Sequence, residues 1–173
     1  MDELTIEAAQ RGHRDAQTTL IRALQDVWYR FALSLLRDPD LAADAAQETA
    51  LRFLRDLPKF NRGSTIKTWS LGIALNVSRE TKRRKQFAGE DGALTEADDS
   101  PSPADAAATS EQLAKVRALL ADLPDRQREA LVLRFFEDLS VDQTAAAMNA
   151  APGTIKATVH QALRSLRSKL GAT

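Results

Sequence analysis

This 173-residue chain contains no cysteine, and that absence excludes disulfide bonds, thiolate metal sites and cysteine nucleophiles. It also contains no apolar run that approaches the roughly 20 residues of a membrane-spanning helix. Its N-terminal stretch, MDELTIEAAQRGH, is acidic and has no apolar signal core. We therefore expect a cytoplasmic protein without membrane insertion.

The residue patterns of common catalytic sites are missing as well. The only histidines, His13 and His160, lie far apart in the chain. No metal-ligand spacing, Ser/His/Asp order or phosphate-binding glycine loop is present. The sequence therefore predicts no catalytic residue, no metal and no cofactor, and it does not predict an enzyme.

Glycine and aromatic residues are scarce, with 7 glycines and 5% aromatics, and this composition favours helices over strands. The net charge is zero, but residues 1–87 carry +4, residues 88–112 carry −7 and residues 113–173 carry +3. The acidic segment contains proline, glycine and serine and no aromatic residue, which is typical of a flexible linker. The sequence predicts an all-α fold of two small helical domains, 1–87 and 113–173, joined by the acidic linker 88–112.

The first domain contains three stretches with helical periodicity. Apolar residues recur from Leu20 to Leu35, RDPD at 37–40 interrupts them, and Asp40 is the predicted N-cap of a helix over 41–57. After a loop at 58–64, KTWSLGIALNVSRETKRRKQF (67–87) is the last predicted helix and ends in four consecutive cations. Those cations either complement the helix dipole or contact phosphate, and both interpretations remain open.

The second domain contains the pattern of a helix-turn-helix unit. Pro124 and Asp125 begin a predicted helix that extends to about Glu137. Ser140 and Gln143 match a capping box that predicts a helix over 141–148. NAAPG at 149–153 predicts a tight turn, and Pro152 begins a helix that extends to Leu170. In a helix-turn-helix the second helix lies in the DNA major groove. An ordinary helical hairpin without a role in DNA binding is the alternative.

Three blocks of the chain resemble the sigma-70 family of RNA polymerase sigma factors, in its extracytoplasmic-function (ECF) type. DPDLAADAAQETALRFLRDLPKF resembles the family's D-A-E-D-x-x-Q-E-T-F helix, and KTWSLGIALNVSRETKRRK resembles its T-W-L-x-x-I-A-x-N…R-R segment. The stretch from LPDRQREAL to LRSLRSKL resembles its helix-turn-helix domain. The resemblance implies that 1–87 is sigma region 2 and 113–173 is sigma region 4. It implies a factor that binds core RNA polymerase and promoter DNA to direct promoter-specific initiation, and it admits an anti-sigma factor as a partner.

The resemblance also assigns a role to three sets of polar and aromatic residues. Those expected to bind core polymerase are Asp44, Gln47, Glu48 and Arg52. Those expected to capture and melt the −10 element are Lys59, Phe60, Asn61, Arg62, Ser64, Trp69, Asn76, Arg79, Lys82, Arg83 and Arg84. Those expected to contact the −35 element are Gly153, Thr154, Lys156, Ala157, Thr158, His160, Gln161 and Arg164.

The chain departs from the family pattern in its helix-turn-helix. The family usually has arginines where this chain has Thr158, Gln161 and Leu163, which reduces phosphate attraction. It commonly has glycine where Asn149 stands, and asparagine accepts the same left-handed angles. Two other functions remain open: a stand-alone DNA-binding regulator, and a helical adaptor that binds polymerase without starting transcription. The charge-neutral chain could also fold compactly on itself and so inhibit itself.

Overall fold

A computed structural model of the protein describes residues 2–87 and 118–170, and every regular element in those ranges is helical. The predicted all-α class is therefore confirmed. The predicted acidic linker, 88–112, lies outside the described residues. Residues 118–121 are helical. The α-helices of the described ranges are α1 (Glu3–Gln10), α2 (Arg14–Leu36), α3 (Pro39–Asp56), α4 (Ile66–Phe87), α5 (Asp125–Leu131), α6 (Val141–Met148) and α7 (Pro152–Leu170), and a short 3-10 helix, Leu57–Lys59, follows α3.

The N-terminal domain is a bundle in which α2, α3 and α4 enclose an apolar core. Trp28 and Phe53 are fully buried, and their ring centroids are 5.2 Å apart. The ring centroid of Trp69 lies 5.4 Å from that of Phe53, so Phe53 packs against aromatic rings from two other helices. The indole N–H of Trp28 donates a hydrogen bond of 3.0 Å to Ser70 Oγ, which satisfies the one polar atom of the buried ring.

Helix α3 begins at a different cap from the predicted one. The Oδ1 atom of Asp38 accepts hydrogen bonds from the backbone N–H groups of Asp40 and Leu41, each 3.1 Å long. Pro39 is the first helical residue, and Asp38 before it has the extended backbone that a following proline favours. The prediction of Asp40 as N-cap is therefore wrong, because the proline places the helix start two residues earlier, at Pro39.

Two further elements differ from the sequence interpretation. Helix α1 was not predicted; its N-cap is Asp2, whose side chain accepts from the backbone N–H of Thr5. Helix α5 was expected to run to about residue 137, but its α-helical part ends at Leu131. A π-helical turn, Val132–Phe136, follows it.

The helix-turn-helix has the predicted bounds. Ser140 and Gln143 form the reciprocal capping box at the start of α6. Asn149 ends that helix in the left-handed conformation, with φ 49° and ψ 56°, and Pro152 begins α7. Between the two helices, Met148 and Ile155 are buried.

The two domains pack against each other through α4 and α6. One cluster of buried apolar residues continues from Leu71 and Leu75 of α4 to Met148 of α6 and Ile155 of α7. The helices meet at Gly72, where an added Cβ would lie 3.4 Å from the carbonyl oxygen of Ala147. The described parts of the two domains are therefore in contact with each other, as the neutral charge of the chain left open. No helix in the described ranges is long and apolar enough to cross a membrane.

Candidate nucleic-acid and polymerase interfaces

The N-terminal half of α7 has one buried side and one exposed side. Ile155 and Ala162 are 1% and 0% exposed, and they fix the helix to its own domain. Thr158 is half-buried, and its hydroxyl donates to the carbonyl of Thr154 at 2.8 Å. The other residues predicted to contact −35 DNA are all exposed, namely Gly153, Thr154, Lys156, Ala157, His160, Gln161 and Arg164. The helix thus presents a single polar face that carries two cations.

The predicted −10 face of α4 is less accessible. Asn76, Arg83 and Arg84 are exposed, whereas Arg79 and Lys82 are half-buried. The Arg79 guanidinium donates two hydrogen bonds to the carboxylate of Glu129 in α5, of 2.9 and 2.6 Å. The pKa of Arg79 is raised because Glu129 holds its charged form by those bonds. Lys82 donates to Asp125, which also belongs to α5.

The loop before α4 and the first turn of α4 carry the remaining residues predicted to contact the −10 element. Lys59 and Asn61 are exposed and Ser64 is half-buried. Phe60 is only 7% exposed, and its ring packs against Trp69 at 5.1 Å. Phe60 is therefore part of the core, so its predicted contact with an extruded base requires the loop to move. Trp69 is half-buried, and its ring packs against both Phe53 and Phe60.

Arg62 lies at the tip of this loop with φ 61° and contacts the N-terminal helix. Its guanidinium donates to Glu7 at 2.9 Å and also to Glu3. The pKa of Glu7 is lowered because the hydrogen bond from Arg62 stabilises its charged form. A cavity of about 410 Å³ opens beside this pair, between α1 and the loop. The cation that was expected to meet DNA is thus bound to two carboxylates of α1.

The predicted polymerase-binding residues lie on α3. Asp44 and Gln47 are exposed. Arg52 donates through Nε to Glu48 at 2.6 Å, and the two residues form an i, i+4 ion pair within α3. The same guanidinium forms two bonds, of 2.9 and 2.7 Å, with Glu80 of α4. The pKa of Glu80 is lowered because Arg52 holds its charged form. Arg52 is half-buried, and its bonds to Glu80 link α3 to α4.

No part of the chain that the structure describes places three or more His, Asp or Glu side chains together as a metal site. The polar clusters pair cations with carboxylates. Such clusters suit the binding of polyanions and charged protein surfaces. They offer no arranged nucleophile and base.

Comparison with known proteins agrees with this geometry. Residues 20–88 match the family model for sigma-70 region 2, and residues 113–166 match the model for sigma-70, region 4. The ECF RNA polymerase sigma factor EcfG of Rhodopseudomonas palustris is 38% identical over 144 residues, which cover 82% of this chain and 76% of that protein. The chain belongs to the sigma-70 family of RNA polymerase sigma factors, and it is of the ECF type. It directs promoter-specific initiation of transcription.

Two further matches extend over most of this sigma factor. The ECF RNA polymerase sigma factor SigW of Bacillus subtilis is 26% identical, and the match covers 95% of this chain and 94% of SigW. A sigma factor RpoE solved in complex with the anti-sigma factor NepR, from Bartonella quintana, has the same fold with a TM-score of 0.71. It is 23% identical, and the match covers 89% of this chain and 96% of that one.

The sigma factor also uses residues that sequence reasoning did not single out. Glu129, Asp125 and Glu137 supply the carboxylates that meet cations of α4, and Glu80 holds Arg52. The contacts between α4 and residues 125–137 join positions 43 to 70 apart in sequence, so no local spacing announces them.

Proposed function

We propose that the sigma factor reads −35 duplex DNA with the exposed N-terminal face of α7. The observation that supports this most directly is the division of that helix into a buried apolar side and an exposed polar side. Lys156 and Arg164 are available on the exposed side for phosphate contacts, while Gln161 offers an amide for a base edge. The backbone N–H groups of Gly153 and Thr154, in the first turn of α7, have no intrahelical partner and are available for a phosphate.

We also assign the other two predicted surfaces. In this proposal α4 and the loop at 59–65 capture the −10 element. Asn76, Arg83 and Arg84 are the exposed polar residues that α4 contributes to this surface. The exposed side of α3, around Asp44 and Gln47, binds core polymerase. Domain bounds of 1–87 for region 2 and 113–173 for region 4 accompany this assignment, with the segment 88–112 between them.

Three broader statements belong to the same proposal. The protein acts by binding polymerase and promoter, and it is not an enzyme itself. It works in the cytoplasm, where its polymerase and DNA partners lie. An anti-sigma factor regulates it, as NepR pairs with the sigma factor of shared fold described above.

One transcription experiment tests the assignment. The protein is added to sigma-free core polymerase with a library of promoter fragments, and the transcripts are sequenced. We expect specific starts with the native chain and loss of core binding in a variant that combines Asp44→Ala with Gln47→Ala. The matched control combines Gln25→Ala with Asp26→Ala, which alters the same two residue types on the exposed side of α2.

The outcomes separate the candidate functions. Absence of specific starts on every fragment would contradict the assignment to promoter DNA. DNA binding without core polymerase would favour a stand-alone regulator. Core binding without transcripts would favour an adaptor. If the α3 variant and its control bound core polymerase equally well, the polymerase site would have to be sought on another surface.

A further inference from the structure

A cavity of about 680 Å³ opens where helices α2, α3 and α4 of the N-terminal domain meet α5 of the C-terminal domain. Seven cations and four carboxylates line it, so its walls carry a net charge of +3. Pockets for small-molecule ligands commonly have volumes of roughly 300–1,000 Å³ and lie at contacts between domains. The size and the charge of this cavity therefore suit a small anion.

The wall contributed by α5 contains a buried cation whose charge is only partly balanced. Arg128 is 8% exposed, and its guanidinium donates to the backbone carbonyls of Leu35 and Leu123. It also donates to Oδ1 of Asp125, and the same atom accepts a hydrogen bond from Lys82, so two cations share one carboxylate oxygen. The Nε–H of Arg128 has no partner in the part of the chain that the structure describes. Because a buried charge costs free energy unless a counter-ion balances it, this wall favours an anion in the cavity.

Two further cations of the lining are accessible to a ligand. Arg83 of α4 and Arg126 of α5 are both exposed. Neither of them forms a salt bridge with any residue in the described ranges. Guanidinium groups bind phosphate oxygens through paired, charge-assisted hydrogen bonds. We therefore expect these two side chains, one from each domain, to contact a bound anion directly.

Another part of the lining is apolar. Leu35 is 8% exposed, and Leu36 of α2 and Ile73 of α4 are half-buried. The exposed amide of Asn76 belongs to the same lining. A nucleobase has flat apolar faces and a hydrogen-bonding edge, and apolar side chains with a single amide can bind both. The cavity thus suits a ligand with an anionic part and a base.

We propose that this cavity binds a nucleoside polyphosphate. Its phosphates lie at Arg83 and Arg126, and its base packs against Leu36 and Ile73. The assignment adds a small-molecule ligand to the polymerase and the promoter DNA. Inorganic polyphosphate offers the same anionic groups without a base, so the affinities for the two classes distinguish them.

The proposed ligand site overlaps the surface assigned to the −10 element, and the following consequence rests on that assignment. Asn76 and Arg83 belong to both. A nucleotide phosphate bound at Arg83 occupies a position that a promoter phosphate would otherwise take. Nucleotide and −10 strand should therefore exclude each other, whereas duplex DNA bound to α7 should be unaffected.

Isothermal titration calorimetry of the full chain with ATP, inorganic triphosphate and adenosine tests the class of ligand. We expect ATP to bind about tenfold more tightly than triphosphate, because burial of the base adds to the phosphate contacts. Adenosine should bind more weakly than ATP, because it has no anionic group. Equal affinities for ATP and triphosphate would overturn the assignment to a nucleotide.

Charge inversions in the two domains test the location of the site. Arg126→Glu and Arg83→Glu each replace a guanidinium with a carboxylate, so the affinity for ATP should fall about tenfold or more. The matched control is Arg167→Glu, which makes the same charge change at an exposed residue of α7 outside the lining. It should alter the affinity for ATP by less than about twofold, because salt screens charges that do not contact the ligand. Circular dichroism verifies that each variant is folded.

Two results would overturn the site. One is an equal loss of ATP affinity in all three variants, which would reflect net charge alone. The other is a native chain that binds ATP no more tightly than Arg126→Glu does.

Failure of the proposed function would look different. Fluorescence anisotropy with a randomised single-stranded oligonucleotide pool measures whether ATP displaces the strand. We expect displacement from the native chain, and about tenfold more ATP should be needed with Arg126→Glu. ATP that binds to the cavity but leaves the strand in place would contradict the assignment of α4 to the −10 element, while the calorimetry would still support the nucleotide site.

Discussion

Helices α4 and α7 are both assigned to promoter DNA, and their surroundings are opposite. The cations of α7 that face outward, Lys156 and Arg164, are exposed. On α4, Arg79 and Lys82 are paired with carboxylates of the other domain, and only the basic end with Arg83 and Arg84 remains exposed. A positive surface that attracts a phosphate also attracts a carboxylate of its own chain, so basic residues alone do not indicate an accessible DNA site.

The largest effect should come from removing exposed cations on each helix in turn. Combining Arg83→Ala with Arg84→Ala should reduce promoter opening about tenfold or more while core binding persists, because two phosphate contacts near the separated strands are lost. The matched change, Lys156→Ala with Arg164→Ala, should instead weaken binding to the −35 duplex. Permanganate footprinting of the open complex and filter binding of duplex DNA measure the two effects.

Salt dependence sharpens this first comparison. Two lost phosphate contacts should lower the slope of log affinity against log salt by roughly 1.8 for duplex DNA and roughly 1.4 for a single strand. If the α4 variant opens promoters as well as the native chain, Arg83 and Arg84 serve only as a solvated helix end. If both variants change the same step, the division of labour between the helices is wrong.

A double-mutant cycle compares the ion pair of α4 with an exposed one near the end of α7. The Arg79–Glu129 pair, measured with Arg79→Ala, Glu129→Ala and both together, should give a coupling energy of about 1–2 kcal/mol in urea unfolding. The Asp122–Lys169 pair, with side chains 65% and 39% exposed, should give less than about 0.5 kcal/mol. Equal coupling energies would mean that burial at the domain contact adds nothing.

The sequence predicted the second domain better than the first, for a physical reason. Ser140, Gln143, Asn149 and Pro152 are local signals, and each acts within four residues of its own position. The start of α3 was predicted at the wrong aspartate although the sequence contains the correct signal. Pro39 is favoured as the first helical residue, so Asp38 before it is the N-cap and Asp40 is not. The contacts of Arg79 with Glu129 bring together residues 50 apart, and no local periodicity encodes such a pair. The burial of Phe60 likewise depends on Trp69, which the loop reaches only after folding.

Asp38 contrasts with Glu129. It binds a cation of α4 from within the N-terminal domain, whereas Glu129 binds one from the C-terminal domain. It caps α3 and accepts a hydrogen bond of 3.1 Å from Lys85. Asp38→Ala should lower the free energy of unfolding by about 1 kcal/mol, through loss of the cap. Asp38→Asn should cost less, because asparagine caps equally well. Thermal unfolding at neutral pH compares the two variants.

The dependence of this effect on pH has a definite sign. The pKa of Asp38 is lowered, first by the backbone N–H of Leu41 and then by Lys85. Its contribution is therefore present above its ordinary value of 3.8 and is lost as the pH falls through the lower folded value. The stability difference between the native chain and Asp38→Asn should shrink over that acid range. A difference that stays constant in acid would show that the charge of Asp38 does not matter.

The last comparison concerns the turn that positions α7. Asn149 has a positive φ of 49°, which costs a residue with an ordinary side chain about 1 kcal/mol. Asn149→Ala should therefore destabilise the protein by about that amount, and Asn149→Gly should change stability by less than about 0.5 kcal/mol. Because the turn sets the placement of α7, Asn149→Ala should weaken duplex binding more than single-strand binding. Fluorescence anisotropy with a randomised duplex pool and a randomised single-stranded pool can measure the two losses. Equal losses on both pools would mean that the turn also supports the contact of α6 with α4, and that the two DNA faces are coupled through it.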